Sequence, residues 1–412
     1  MHTLRRPNSL PTRKRPLSVG TAFHPRTSVL NKKLAWGEWA GYFAAAVYAD
    51  FHDIEYNAIR EAAALIDVSP LFKYVVRGRD ATQLVDRVIT RDATKVQVNQ
   101  VIYTPWCDER GKLIDDGTLT RLDDTSYRWT AADPSYRWFE LNAAGLDVEI
   151  EDVTDTIAAL ALQGPKSRDV LEAATGESWS DVRYFRRRPT KIRGVEVDVT
   201  RTGYTGDLGY ELWVDADGAL DLWDALVAAG EAFGIRPAGI QALDVSRLEA
   251  GLILIEADYT SARHAIIPEQ EYSPFELGLG RLVDFSKGSF AGKRALQEEQ
   301  KAGGPARRLV GLEIDWSGID EMFAAQDLPP VVSPTVSRVP VPLYANGQQV
   351  GRVTSSAWGP TLKKMIALGS VDAKQARTGN RLSMEWTVEA RRGKVAATVV
   401  DLPFFDPPRK HS

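Results

Sequence analysis

Three short segments carry side chains in arrangements that could do chemistry. The first is Gly111-Lys-Leu-Ile-Asp115-Asp116-Gly117, two adjacent carboxylates ahead of a glycine. Neighbouring residues on a strand point to opposite faces, so one of the two carboxylates can face inward, where it could stabilise a developing cation or exchange a proton with an amine. The plainer reading is that Asp-Gly marks a hairpin turn between two strands. The second segment is Thr202-Gly-Tyr204-Thr-Gly-Asp-Leu-Gly209-Tyr-Glu211. Its glycines do not have G-x-G-x-x-G spacing and no Gly-Lys-Ser or Gly-Lys-Thr follows, so a phosphate cradle is not indicated. It reads as a Gly-rich loop between strands, with Gly203, Gly206 and Gly209 at positive-φ positions. Glu211 then heads the apolar run Leu212-Trp213-Val214. A carboxylate there needs partners, and a planar heterocycle offering two parallel N–H donors would satisfy it. The third segment, Ser246-Arg-Leu-Glu249-Ala-Gly251, reads as a structural ion pair at a helix end.

Composition narrows what these groups can do. The 412 residues hold one cysteine, Cys107, and five histidines, His2, His24, His52, His264 and His411. Zinc sites, cysteine-held iron–sulfur clusters and disulfide frameworks all need several ligands at short spacings, so no metal site is expected and a reducing, cytoplasmic compartment is. Reactivity must come from carboxylates, hydroxyls, aromatics and backbone dipoles, or from a bound cofactor. With 51 Lys plus Arg against 55 Asp plus Glu, the net charge of -4 provides no basic field for nucleic acid. The longest apolar stretch, residues 41–49, is less than half of the roughly 20 needed to span a bilayer. Arg5, Arg6, Arg13, Lys14, Arg15, Arg26, Lys32 and Lys33 all precede the first acid, Glu38. Pro7, Pro11 and Pro16 would break an amphipathic targeting helix, so residues 1–34 read as a loosely draped basic arm.

The elements that must position the three segments alternate between helical and strand-like patterns, predicting mixed α and β layers. Ile59, Ala62, Ala63 and Ile66 fall at helical spacing over 55–66, residues 71–76 read as a strand and 81–89 as a helix. Strand-like runs at 101–106 and 118–122 flank turn-rich sequence around Asp116. Residues 196–201 and 210–214 read as strands on either side of the Gly-rich loop, and 219–233 as an amphipathic helix ending at Gly234. Ala-Gly-Gly-Pro at 302–305 marks a boundary. Beyond it, Pro329, Pro330, Pro334, Pro340 and Pro342 exclude long helices, and β-branched runs at 350–354 and 396–400 predict a small antiparallel barrel or sandwich. Trp106, Trp129 and Trp138 could line an aromatic pocket or be simple core. Arg186, Arg187, Arg188, Lys191 and Arg193 could draw an anionic tail or be a solvated face.

Taken in order, the three segments resemble the glycine cleavage T-protein family of tetrahydrofolate-dependent one-carbon transferases. Supporting matches are Arg60 with Ile66-Asp67-Val-Ser69, Ala161-Leu-Gln-Gly164-Pro165, Phe290-Ala-Gly292-Lys-Arg-Ala-Leu296, Gly351-Arg-Val-Thr354-Ser355, Pro360-Thr-Leu362 and Leu402-Pro-Phe404. The resemblance implies an α+β, three-domain cloverleaf around a central folate channel, with a C-terminal antiparallel β-barrel. Residues 35–72 and 155–240 would form the first folate-binding domain, 73–154 and 241–301 the second, and 306–405 the barrel. It implies Asp116 as the catalytic aspartate and Tyr103 as a catalytic and folate-pocket tyrosine, with Tyr204 and Glu211 holding the pterin of tetrahydrofolate.

Departures from the pattern bear on the substrate. Leu243 stands where the glycine cleavage enzymes have the arginine of A-A-R-D, and Ala132 where they have a pocket asparagine. Pro70 replaces the histidine of DVSH, Arg409 aligns near a C-terminal tyrosine, and Gly117 follows the aspartate pair in place of leucine. Related folate-dependent demethylases also lack that arginine and often carry that glycine. The expected function is therefore transfer of a methyl group from a small N-, O- or S-methylated substrate to tetrahydrofolate. The alternative is an aminomethyltransferase of the glycine cleavage system, which needs a lipoylated carrier protein and makes 5,10-methylene-tetrahydrofolate and ammonia. A third reading is a non-enzymatic folate-binding protein of iron–sulfur cluster maintenance. Those relatives carry a KGCYxGQE-like motif, and Ser289 in Lys287-Gly-Ser289-Phe-Ala-Gly292 replaces its cysteine.

Overall fold

The computed structural model describes residues 17–412. Two large β-sheets, a two-stranded ribbon of Trp36–Trp39 and Tyr42–Ala45, and one closed barrel organise them. The first sheet runs in the order Arg187–Ile192, Val195–Thr200, Gly209–Asp215, Ile157–Gln163, Ala63–Asp67, Ile235–Pro237. Its neighbours are antiparallel except the last pair, which is parallel. The second sheet runs Val101–Cys107, Leu113–Arg121, Ser126–Ala131, Phe72–Arg77, Glu149–Asp152. The barrel of six antiparallel strands spans Arg307–Ile314 to Arg391–Val400, as the β-branched tail predicts.

Period-2 alternation gives each sheet two distinct faces. In the first sheet Leu65, Leu160, Leu162, Tyr210 and Leu212 pack one way, under the helices Ser167–Thr175 and Ala219–Gly230. Ala64, Ile66, Ala159, Ala161 and Trp213 point the other way, toward the helices His52–Glu61 and Ile240–Glu249. Glu211, two residues before Trp213, shares that second face. In the second sheet Tyr74, Leu119, Tyr127, Trp129 and Ala131 form the core with helix Ala81–Val88. Arg128, Thr130, Thr118 and Tyr103 therefore line the opposite face.

Several expectations change in the structure. Helical spacing over 55–66 covers two elements, helix His52–Glu61 and strand Ala63–Asp67. Ala63, Ala64, Leu65 and Ile66 are buried on both faces of the sheet, and such strands lose the alternation that would separate them from a helix. Asp116-Gly117 is not a hairpin turn: one strand, Leu113–Arg121, passes straight through it, and the chain reverses earlier, at residues 108–112 around Gly111. Trp106 and Trp129 line no pocket, being fully buried in the core beside Phe139. The basic-arm expectation at residues 1–16 lies outside the described residues. From Val19 to Asn31 the segment is docked rather than draped. Helix His24–Leu30 follows Phe23, which is buried against Trp223, and Arg26 makes a two-pronged bond to Asp224 at 2.8 and 2.7 Å.

Candidate active site

The carboxylate pair splits into two roles on its strand. Asp115 is completely buried, and its Oδ2 accepts the backbone N–H groups of Ala132 (3.0 Å) and Asp133 (2.9 Å), while Oδ1 accepts the N–H of Asp116. It ties two strands together. Asp116, on the opposite face, is partly open. Its Oδ2 accepts the Tyr103 hydroxyl at 2.7 Å and its Oδ1 accepts the hydroxyl of Tyr259. Tyr103 lies on the neighbouring strand, where register places it two residues along from Pro105, the partner of Asp116. Burial raises the Asp116 carboxyl above the ordinary range, and the two phenolic donors pull it back down. Burial likewise raises both phenols, with the Asp116 charge adding to it, so they stay protonated donors.

Gly117 has a packing cause. A Cβ there would sit 2.0 Å from the Thr130 carbonyl oxygen, and Thr118 and Thr130 hydroxyls meet at 2.6 Å beside it. Any side chain at 117 would force apart the strand that carries Asp116. Lys73 lies in register with Thr130 on the adjoining strand, fully buried, donating to the carbonyls of Ser69 (2.6 Å) and Leu71 (2.7 Å) on either side of Pro70. Desolvation lowers its amine to about 7.

Across from this face stands Glu211. Its Oε2 accepts the Thr202 hydroxyl, and burial raises its carboxyl. Among the described residues Oε1 takes no hydrogen bond. The loop that delivers it is held by Gln163, whose amide reaches Thr202 O (3.2 Å), Tyr210 O (3.3 Å) and the Thr205 hydroxyl (2.8 Å). Gly203 and Gly209 are glycines because a Cβ at either would lie within 2.4 Å of that amide; only Gly206 adopts positive φ, correcting the expectation for all three. Arg409 pins the same loop from the C-terminus by a two-pronged pair with Asp207, at 2.7 and 2.8 Å. Tyr204 donates to the Ile253 carbonyl, and its phenol is raised by burial and by the Asp116 charge. Arg247 and Glu249 do not pair with each other. Arg247 binds Asp244 (2.8 Å) and Asp258 (2.6 Å), while Glu249 binds Arg60 (2.8 Å) and Tyr56 (2.8 Å).

The structure thus gathers Asp116 and Tyr103 directly, and Tyr204 and Glu211 onto the facing loop and strand. Sequence reasoning missed Tyr259, Arg128 and Gln163. Tyr259 lies in a segment without periodicity, and only its long-range contact gives it meaning. Arg128 carried a usable signal, an arginine in the otherwise apolar run Tyr127-Arg-Trp129.

Residues 26–287 match the GCVT N-terminal domain and residues 307–406 the glycine cleavage T-protein C-terminal barrel domain. The chain belongs to the glycine cleavage T-protein family. It is 36% identical over 356 residues to an aminomethyltransferase of Caldanaerobacter subterraneus, covering 85% of this chain and 87% of that protein. It is 34% identical over 401 residues to a trimethylamine-oxide aldolase of Ruegeria pomeroyi, covering 94% of this chain but 47% of that protein. Among solved structures, the glycine cleavage system aminomethyltransferase T from Bartonella henselae aligns with a TM-score of 0.79 at 25% identity, over 94% of this chain and 98% of that one. The chain is accordingly a transferase enzyme of a folate-dependent family, which sets aside the non-enzymatic reading. Among the described residues no helix is long and apolar enough to cross a membrane.

Proposed function

We propose that this T-protein family member is a demethylase, moving a methyl group from a small N-, O- or S-methylated substrate to tetrahydrofolate. The observation that carries the choice is Leu243, buried in an apolar cluster with Ile59, Ala161 and Trp213, where the glycine cleavage enzymes have an arginine. An apolar residue there takes away the cation those enzymes have at this position. Support also comes from the trimethylamine-oxide aldolase, named for a methylated amine oxide, which matches 94% of this chain. Gly117 no longer discriminates, because strand packing alone demands it.

The residues present fit a pterin. Glu211 offers an unfilled oxygen suited to adjacent N–H donors, and Tyr204 packs against the apolar cluster that holds Trp213 on the same sheet face. Tetrahydrofolate, when bound, supplies the nitrogen that accepts the one-carbon unit. Asp116 stabilises positive charge, or relays a proton through its carboxylate, as the leaving group departs. Tyr103 and Tyr259 fix both carboxylate oxygens, so little reorganisation is needed at the moment of reaction. Cys107 is buried with its thiol pushed up, so it needs no oxidising surroundings, and we place the enzyme in the cytoplasm.

A second reading, the aminomethyltransferase acting with a lipoylated carrier protein, is favoured by the names of several relatives and of the Bartonella structure. One experiment separates the two: incubation with tetrahydrofolate and a panel of methylated compounds, with the folate product read by mass spectrometry. Appearance of 5-methyl-tetrahydrofolate supports demethylation. Turnover only with aminomethyl-lipoyl carrier, giving 5,10-methylene-tetrahydrofolate, overturns it.

A further inference from the structure

Between the two facing sheets lie an arginine and a glutamate that do not pair. Arg128 sits on strand Ser126–Ala131, on the face away from the Tyr127 and Trp129 core. Its guanidinium lies 4.4 Å above the Trp213 ring, and Nη1 donates to Asp198. Asp198 is shared, since its other oxygen accepts Nε of Arg187 at 2.5 Å. Nε and Nη2 of Arg128 are buried and have no acceptor among the described residues. Glu211, on the same face as Trp213, feels the Arg128 charge, and Arg128 feels that of Glu211. Yet no ion pair closes between them, and one Glu211 oxygen stays unfilled.

Unpartnered N–H groups on a buried guanidinium are costly, and they are rarely kept without a use. Together the pair offers the Glu211 carboxylate, which can accept two donors, and the Arg128 guanidinium as donor. That pattern complements an edge with two donors followed by an acceptor, which is the 2-amino, ring N–H and 4-oxo edge of a pterin. We propose that Arg128 is a recognition residue of the heterocycle site, donating to the 4-oxo oxygen of the ring whose N–H edge Glu211 holds. The inference rests on the folate reading above and adds to it a selectivity: a 4-oxo ring is accepted, while a 4-amino ring puts a donor against Arg128 in addition to losing the N3–H that Glu211 accepts.

The test compares tetrahydrofolate with tetrahydroaminopterin, which carries a 4-amino group in place of the 4-oxo group and so also lacks the ring N3–H, by anaerobic calorimetry on the full chain. The wild type is expected to prefer the 4-oxo ligand by roughly 10- to 100-fold, the worth of a hydrogen bond to a charged group. Arg128→Met should narrow that ratio severalfold, the rest being the N3–H that Glu211 accepts and the 4-amino ring lacks, whereas Glu211→Gln should weaken both ligands. Because Arg128 also binds Asp198, Arg128→Met can fail to fold; Arg128→Lys, which keeps the charge but loses the planar fork, then decides, and it should narrow the ratio severalfold. A wild type that binds neither ligand overturns the folate reading and this inference with it. A wild type that binds tetrahydrofolate without 4-oxo preference, or variants that keep the full ratio, overturn this inference alone.

Discussion

The two halves of the site are finished to different degrees. At Asp116 both carboxylate oxygens are already occupied, by the hydroxyls of Tyr103 and Tyr259. At Glu211 one oxygen is held by Thr202, the other is unfilled, and an arginine with two unpartnered N–H groups stands nearby. On the proposed function, the Asp116 corner acts as a preorganised electrostatic device, its two hydroxyl contacts in place before anything binds. On the folate reading proposed above, the ligand completes the Glu211 corner, and the hydrogen bonds it makes there supply binding energy and selectivity.

Breaking the first corner should cost turnover and breaking the second should cost affinity. Asp116→Ala is expected to lower turnover by roughly 10²- to 10⁴-fold, the range of a lost acid–base group, with tetrahydrofolate affinity largely kept; unchanged turnover would remove Asp116 from the chemistry. Glu211→Gln should weaken tetrahydrofolate roughly 10- to 100-fold by calorimetry while leaving the Asp116 environment intact, and an unaltered affinity would mean the pterin is held elsewhere. Gly117→Ala places a Cβ where the Thr130 carbonyl already lies, 2.0 Å away, and should lower unfolding stability in denaturant by about 2 kcal/mol. A neutral result would show that the strands part freely and that Gly117 has another purpose.

The smallest effect sharpens the comparison most. Tyr259→Phe removes one of the two donors that hold the Asp116 carboxyl down against its burial. Its pKa therefore rises further, the carboxylate is lost at a higher pH on acidification, and the acid limb of the kcat profile moves to higher pH. The loss at neutral pH should be about three- to tenfold, the worth of one modest hydrogen bond. The same substitution should leave folate affinity untouched, and an acid limb that stays in place would reduce Tyr259 to packing.

Much of this was legible in the chain. The Asp115-Asp116 pair and Glu211 could be singled out from their own segments, whereas Tyr103 and Tyr204 could be named only through the family resemblance. A small antiparallel barrel or sandwich was legible from prolines and β-branched runs, and the family resemblance pointed to the barrel. Strand Ala63–Asp67 was not, since a strand buried on both faces carries no alternation. The path of the chain through Asp116-Gly117 was not either, because the glycine is demanded by a carbonyl on the next strand and not by a turn.

The sequence by itself determined which residue types are available: carboxylates and tyrosines, one cysteine, and a glycine loop leading to a buried acid. Only the tertiary structure decided how they are used. Tyr259 reaches Asp116 across 143 positions of sequence, and Arg128 meets Trp213 and Asp198 across the gap between two sheets. Local pattern reports which face a side chain takes within its own element. Which partner waits on that face is set by how separate elements pack, and no spacing along the chain encodes it.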